Sequence, residues 1–480
     1  MNMLTMGVVR GISYGLFARP DAFGSAADRL NADLVRAYVY WGQVEPEPGR
    51  YDWTVVDALL EQVPGESRLW LTVCSSSAWA TRRSTTFLPP SPPLDDRAYA
   101  DFVSALVGHC GRSVAYWQCE NEPSNAGLLW DGTAGEYADL LTTFATAVRG
   151  VQQAGAVVLG GIGYDALGSE QGSDSWAFFE TVCRAASSSF DLVDVHSYDD
   201  PRRLPGHLRT VRALLERCGC PRPLVVGEYG GPTMFGFPAA EQSVQTAMMT
   251  AFQQGATVET VGSAAGETPD RAAMRALYEH LDDLPADLQQ FLDGCPPALA
   301  ARRDRIACRE MVTRNLLAFA EGVRVTCYWD LAPEVPGYSD PYNMLGLISA
   351  RLALLDFRDG ELVDAQPSAA TFRMLAGALD GATGVERLIG GVPEGVRACA
   401  VRFGDQPERV LQVVWRDSDP FDGDAAAPEE LAWPWRSPQL HAADAFCNAV
   451  RVPVAAGHLV VPLSATPILL STERLLPDPA

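Results

Sequence analysis

Val114-Ala-Tyr-Trp-Gln-Cys-Glu-Asn-Glu-Pro123 is a short apolar run that stops in a cluster of acidic and amide side chains. Leu224-Val-Val-Gly-Glu-Tyr-Gly-Gly231 repeats the arrangement, with Glu228 closing the run. Segments this short and this continuously apolar read as strands covered on both faces, the habit of a parallel sheet. Working outward, Val8–Leu16, Leu34–Trp41, Leu69–Cys74, Val157–Ile162, Leu192–Ser197 and Arg324–Leu331 have the same texture, which brings the set to eight strands. Between them lie Ala98–Cys110, Ala134–Ala154 and His207–Cys218, whose apolar residues recur at helical spacing. Eight strand and helix units, with no G-x-G-x-x-G after the first strand, predict an α/β fold, a closed (β/α)8 TIM barrel rather than an open dinucleotide-binding sheet.

Two regions depart from that rhythm. The long stretch between the seventh and eighth strands predicts a helical insertion over 231–321, placed to roof one side of the barrel mouth. After Gly384 the helical segments cease, and short alternating runs (Val396–Phe403, Arg409–Trp415, Leu459–Leu463) predict a small antiparallel β-sandwich. The expected division is a barrel over 1–384 and a C-terminal β-sandwich domain over 385–480.

Composition narrows the chemistry. The chain has 480 residues and a formal net charge of -23, and its basic residues are not clustered, which disfavours nucleic acid and acidic membranes as partners. All 37 basic residues are arginine, so Schiff-base, pyridoxal phosphate, Walker A and kinase chemistries lack their lysine. The six histidines form neither H-x-H nor H-E-x-x-H, so no catalytic metal is expected, while a structural Ca²⁺ in the Asp-rich loops stays open. The N-terminus carries no signal-like run and no segment is apolar enough to span a membrane, which gives the expectation of a cytoplasmic protein. Cys74, Cys119 and Cys327 lie in apolar runs and read as small buried hydrophobes, and Cys218-Gly-Cys220 is a weak metal or pairing motif. The oligomeric state is not legible.

Barrel chemistry sits at the C-terminal ends of strands. There Glu122 and Glu228 face one another across the expected mouth, and a carboxylate pair in that position is what glycoside hydrolysis requires. The chain resembles the clan A retaining glycoside hydrolases, the 4/7 superfamily. The resemblance rests on Asn121-Glu122-Pro123 after strand four, Glu228 after strand seven, Arg36 on strand two, Glu45-Pro-Glu-Pro-Gly-Arg-Tyr-Asp-Trp53 after it, His196-Ser-Tyr198 at the end of strand six and Trp329 at strand eight. In texture it is closest to families 39 and 5, with families 42 and 51 left open.

The resemblance implies a retaining glycosidase that needs no cofactor. Glu122 would be the general acid/base and Glu228 the nucleophile, with Asn121 on the sugar 2-hydroxyl. Arg36 and Tyr198 would hold Glu228, and His196 and Trp329 would line the subsite at the scissile bond. Trp79, after strand three, is the best candidate for a second subsite. The expected substrates are β-linked glycosides or short oligosaccharides, with exo-action as a β-xylosidase, β-glucosidase or β-galactosidase favoured. A transglycosylase on the same site and a carbohydrate-binding barrel pseudoenzyme are the alternatives. Taken singly, each of these residues has a plainer reading as a satisfied ion-pair or packing residue; the ordered set is what points to catalysis. Glu120, if it shares a strand face with Glu122, either raises the pKa of its neighbour or points at a core arginine.

Overall fold

The computed structural model describes residues 3–16, 22–237, 240–243, 246, 268–333, 342, 351–358, 361–364, 367–421, 423, 427–455 and 457–476. Eight strands, β1 (Thr5–Val9), β2 (Leu34–Tyr40), β3 (Leu69–Cys74), β4 (Val114–Cys119), β5 (Ala156–Ile162), β6 (Leu192–Ser197), β7 (Leu224–Tyr229) and β8 (Val325–Tyr328), pair in parallel and in sequence order. β1 pairs with β8 and closes the barrel. The first strand begins at Thr5, earlier than the expected Val8, and ends at Val9, so Arg10–Leu16 belongs to the loop above it. The misplacement has a simple cause: apolar residues continue past the end of the strand, and hydrophobicity alone does not mark where pairing stops.

Strand parity sorts the core into two layers. On β2, Val35, Ala37 and Val39 join the large cluster between barrel and helices, whereas Leu34, Tyr38 and Tyr40 belong to the cluster inside the barrel. Arg36 has the parity of the inner set. The same alternation on β6 puts Val193 and Val195 outside, leaving Asp194 and His196 to point inward.

Within the expected insertion 231–321, the 24-residue helix Pro297–Ala320 is buried along much of its length and packs on Leu204–Arg217 and Pro367–Leu379, so it is the crossover helix between β7 and β8 rather than an addition to the barrel. The helices Pro269–Glu279 and Ala286–Gln289 are the added part. They share a separate core of Met234, Phe237, Met274, Leu288, Phe291, Leu292 and Ile306. Residues 238–239, 244–245 and 247–267 of that segment lie outside the described residues.

After β8 come the hairpin β9 (Leu355–Arg358) and β10 (Glu361–Asp364) and the helix Pro367–Leu379. Eight more strands follow: β11 (Gly384–Arg387), β12 (Val396–Arg402), β13 (Leu411–Arg416), β14 (Glu429–Trp433), β15 (His441–Asp444), β16 (Val454–Ala455), β17 (His458–Leu463) and β18 (Ile468–Ser471). They form an antiparallel sheet of order β11-β12-β13-β18-β15 and a smaller one of order β14-β17-β16. One face of the larger sheet packs on the smaller through Val414, Leu431, Trp433, Val461 and Leu470. Its other face, including Val401, Val413 and Leu469, joins the core of the barrel helices. The larger sheet is therefore buried on both sides, and the C-terminal sandwich is continuous with the barrel core. Among the described residues no helix is long and apolar enough to cross a membrane.

Candidate active site

β2, β4, β6 and β7 bring their inward side chains together at one end of the barrel. Glu228, at the end of β7, is enclosed by donors. The Tyr38 hydroxyl donates to Oε1 at 2.5 Å, the Tyr198 hydroxyl to Oε2 at 2.7 Å, and the Arg36 guanidinium lies 3.0 Å from Oε1. Arg36 is fully buried and spends its other donors on Thr72, the Gly227 carbonyl and Asn121. Because a guanidinium only donates, it fixes the Asn121 amide with Oδ1 inward at 2.9 Å, which turns the N–H₂ the other way.

Below this layer Asp194 ties the cations together. Its Oδ2 lies 2.9 Å from His196 Nε2 and 3.5 Å from Arg36, and accepts from the Gln118 amide at 2.8 Å. Burial works against the Asp194 charge, but His196 and Arg36 outweigh it and hold the carboxyl below its ordinary value. His196 in turn reaches up to Glu122, with Nδ1 to Oε1 at 2.5 Å. Burial alone would favour the neutral imidazole, yet the carboxylates of Glu228, Asp194 and Glu122 prevail and push His196 up to about 10. His196 fits because β5 carries Gly161, where any β-carbon would collide with the imidazole ring.

Glu122 projects from the turn that ends β4, and its side chain is 14% exposed. Burial lifts its pKa above the ordinary carboxylate value; His196 opposes the lift, and Glu228 and Asp165 add to it.

One oxygen of Glu122, one of Glu228 and one nitrogen of His196 lie within 4.8 Å of one another, a spacing at which three donors can also hold a cation. The donors are otherwise engaged here. Both imidazole nitrogens face carboxylates, and a guanidinium with two hydroxyls occupies Glu228. Such a set is able to transfer a proton and to present a carboxylate for nucleophilic attack.

Trp329 follows directly on β8, is 9% exposed, and belongs to the inner cluster that also holds Tyr38 and Leu352. Trp79 is half-buried, donates its indole N–H to the Glu45 carbonyl at 2.8 Å and meets Trp41 edge-on at 5.5 Å, which anchors it between the loops after β2 and β3. No described interaction joins Trp79 to either glutamate. Sequence reading passed over Tyr38, Asp194 and Gln118. Each was marked by parity: Tyr38 lies two residues beyond Arg36, Asp194 two before His196, and Gln118 two beyond Tyr116, all on the inward face of a strand.

Glu120 takes neither expected course. It and Glu122 both have left-handed backbones, with φ of 60° and 41°, so strand alternation ends at Cys119. Glu120 is fully buried, accepts from the Ser75 amide at 2.8 Å and meets no arginine among the described residues. Burial, partly opposed by that amide, pushes its pKa up to about 8. The folded protein therefore holds this proton well above the pH at which the unfolded chain releases it. The stability it contributes is whole below about pH 4.5 and is lost as pH rises through about 8. Glu120→Gln is expected to leave the melting temperature unchanged at pH 4.5 and to raise it at pH 8, flattening the profile between; thermal melts across that range check this.

A cavity of about 760 Å³ lies at the opposite end of the barrel, where Thr5, Val114, Ala156, Leu192, Leu224 and Val325 begin their strands. It has no carboxylate in its lining and is not the seat of this chemistry.

No family model matches the chain, and no curated protein matches it. Solved structures do. A family 39 glycoside hydrolase from the gut symbiont Bacteroides cellulosilyticus WH2 is 15% identical, with 98% of this chain and 81% of that one covered at a TM-score of 0.60. The fold is that of the clan A glycoside hydrolases. A family 39 β-xylosidase from Caulobacter crescentus is 14% identical (94% and 91% covered, TM-score 0.55). A family 51 α-L-arabinofuranosidase from Bifidobacterium longum is 11% identical (98% and 96% covered, TM-score 0.57). The likeness to the clan A fold spans both the barrel and the C-terminal sheets, and at these identities it is a likeness of fold.

Proposed function

We propose that the protein is a retaining glycosidase that cleaves β-linked glycosides or short oligosaccharides by double displacement, with an exo-glycosidase such as a β-xylosidase, β-glucosidase or β-galactosidase favoured. The observation that carries this is the spacing of two carboxyl groups in opposed environments. Oxygens of Glu122 and Glu228 lie within 4.8 Å. Retaining enzymes keep their carboxyl groups about 5–5.5 Å apart, whereas inverting ones leave roughly 6.5–9.5 Å for an intervening water.

In the first step a Glu228 oxygen attacks the anomeric carbon while Glu122 gives its proton to the departing glycosidic oxygen. The exocyclic bond breaks and a glycosyl ester of Glu228 forms. In the second step Glu122, now ionised, takes a proton from water, whose oxygen displaces Glu228 and releases a sugar of unchanged configuration. Arg36, Tyr38 and Tyr198 steady the carboxylate that leaves, and the outward N–H₂ of Asn121 is placed to donate to a sugar hydroxyl. The Trp329 indole offers an apolar wall to the ring.

The test is a panel of nitrophenyl xyloside, glucoside, galactoside, arabinofuranoside, fucoside and mannoside, with the anomer of the first-formed product read by NMR. Retained configuration supports the reading and inversion sinks it. In Glu122→Gln we expect losses of roughly 10²–10⁴-fold on substrates with poor leaving groups, much smaller losses in the first step for dinitrophenyl glycosides, and disappearance of the alkaline limb of the pH profile.

A further inference from the structure

The loop that follows β5 contains a carboxylate for which the double displacement above has no use. Asp165 sits in the short helix Tyr164–Leu167, and its Oδ2 accepts from the Ser124 hydroxyl at 2.8 Å. Ser124 is two residues past Glu122 in the turn that delivers the acid/base, and that turn is closed by the Asn125 amide donating to the Glu122 carbonyl at 2.9 Å. Two residues before Asp165, the Gly163 backbone presses against Glu122 so closely that a β-carbon there would lie 2.6 Å from the carboxyl carbon. The second oxygen of Asp165 is buried with no hydrogen-bond partner, and no cation is paired with the carboxylate among the described residues.

We propose that Asp165 is a positioning residue for Glu122, clamping its turn through Ser124 and holding an uncompensated negative charge beside it that keeps the Glu122 proton in place. The inference rests on the reading of Glu122 as acid/base and adds a third carboxylate to the pair.

The other groups around Glu122 already have assigned balances. His196, from β6, carries a positive charge against its Oε1. Glu228 faces it from β7 but is matched by Arg36 from β2, and Asp194 is matched by His196 and Arg36. Tyr38 and Tyr198 spend their hydroxyls on Glu228. Asp165 is the negative charge left over, and it is among the groups that lift Glu122. It acts at both half-reactions. Before the first step it disfavours early loss of the proton. Once Glu228 is esterified and its charge gone, Asp165 remains to keep Glu122 basic enough to accept a proton from water.

The experiment compares the wild type with Asp165→Asn, which removes the charge and keeps an oxygen for Ser124, and with Ser124→Ala, which removes the clamp and keeps the charge. The pH profile of kcat/KM on an aryl glycoside is one readout. The other does not depend on turnover: titration of the protonated Glu122 carboxyl by infrared difference spectra, identified by subtraction of Glu122→Gln. In Asp165→Asn we expect the alkaline limb and the infrared titration to move down together by about one pH unit, a tenfold loss well above the limb, and in Ser124→Ala we expect both to stay in place. An unmoved infrared titration in Asp165→Asn overturns the proposal, and equal movement in both variants overturns the charge and leaves only a clamp. If the infrared titration moves but no glycoside is turned over, the proposed function fails and the coupling of the two carboxyls stands. Should Asp165→Asn not fold, Asp165→Ser removes the same charge and is read the same way.

Discussion

Glu228→Gly is expected to lose roughly 10⁴–10⁶-fold in kcat on every cleavable glycoside, the scale seen when a covalent nucleophile is removed. The reason is geometric as well as chemical. Tyr38, Tyr198 and Arg36 converge on one carboxylate, and no second carboxylate is held by the same three donors among the described residues. The cavity left by the missing side chain is lined by a cation and two hydroxyls, a setting in which a small anion is welcome. Azide is therefore expected to restore turnover of nitrophenyl glycosides and to yield a glycosyl azide of inverted configuration, because it attacks from the face that Glu228 occupied and no second displacement follows. A mutant that cleaves its substrate as well as the wild type does would remove Glu228 from the mechanism.

The second large effect is expected at Arg36. This side chain is wholly enclosed and lies within 3.0 Å of Glu228 and 3.5 Å of Asp194, while also fixing Asn121 and crossing to the Gly227 carbonyl. Its guanidinium keeps its charge against the cost of burial because Tyr38, Glu228 and Asp194 surround it. Taking one member from such a buried group strands its partners. Arg36→Met should cost about 3–5 kcal/mol in chemical denaturation and abolish measurable activity. Arg36→Lys keeps a charge but not the planar fork that reaches Glu228, Asn121 and Gly227 together, so it should restore part of the stability and little of the activity. Equal denaturation midpoints for Arg36→Met and the wild type would show that the network is not what holds the barrel mouth together.

Much of this site could be read before any coordinates. The eight apolar runs announce their strands because both faces of a parallel barrel are covered, and β3, β4 and β6 begin and end at the residues where their apolar runs do. Glu122 and Glu228 stand out because an acidic residue directly after such a run has nowhere to go but the mouth. Tyr38 and Asp194 escaped notice because they lie a pleat below the strand ends, where a polar residue in an apolar run looks like an exception rather than half of a pair. The environment of Glu120 is not legible in the sequence for a different reason. The period of two holds only while the backbone is extended, and the left-handed turn at 120 and 122 ends it without any glycine to give warning. The helix Pro297–Ala320 was absorbed into the insertion because its pattern is buried almost all round, which gives no amphipathic stripe to mark it as a crossover.

The order of strands, the inward or outward sense of each residue within them and the presence of two carboxylates at strand ends are local properties, and the sequence by itself determined them through periodicity and the hydrophobic effect. The identity of each carboxylate is not local. Glu122 is proposed as the acid because burial and nearby carboxylates oppose its ionisation against the imidazole beneath it, and Glu228 is the nucleophile candidate because donors from β2 and from the end of β6 meet on it. Those partners come from strands far apart in the chain. They meet only when β8 pairs with β1 and the barrel closes, which is why the proposed assignment rests on tertiary structure and not on the sequence.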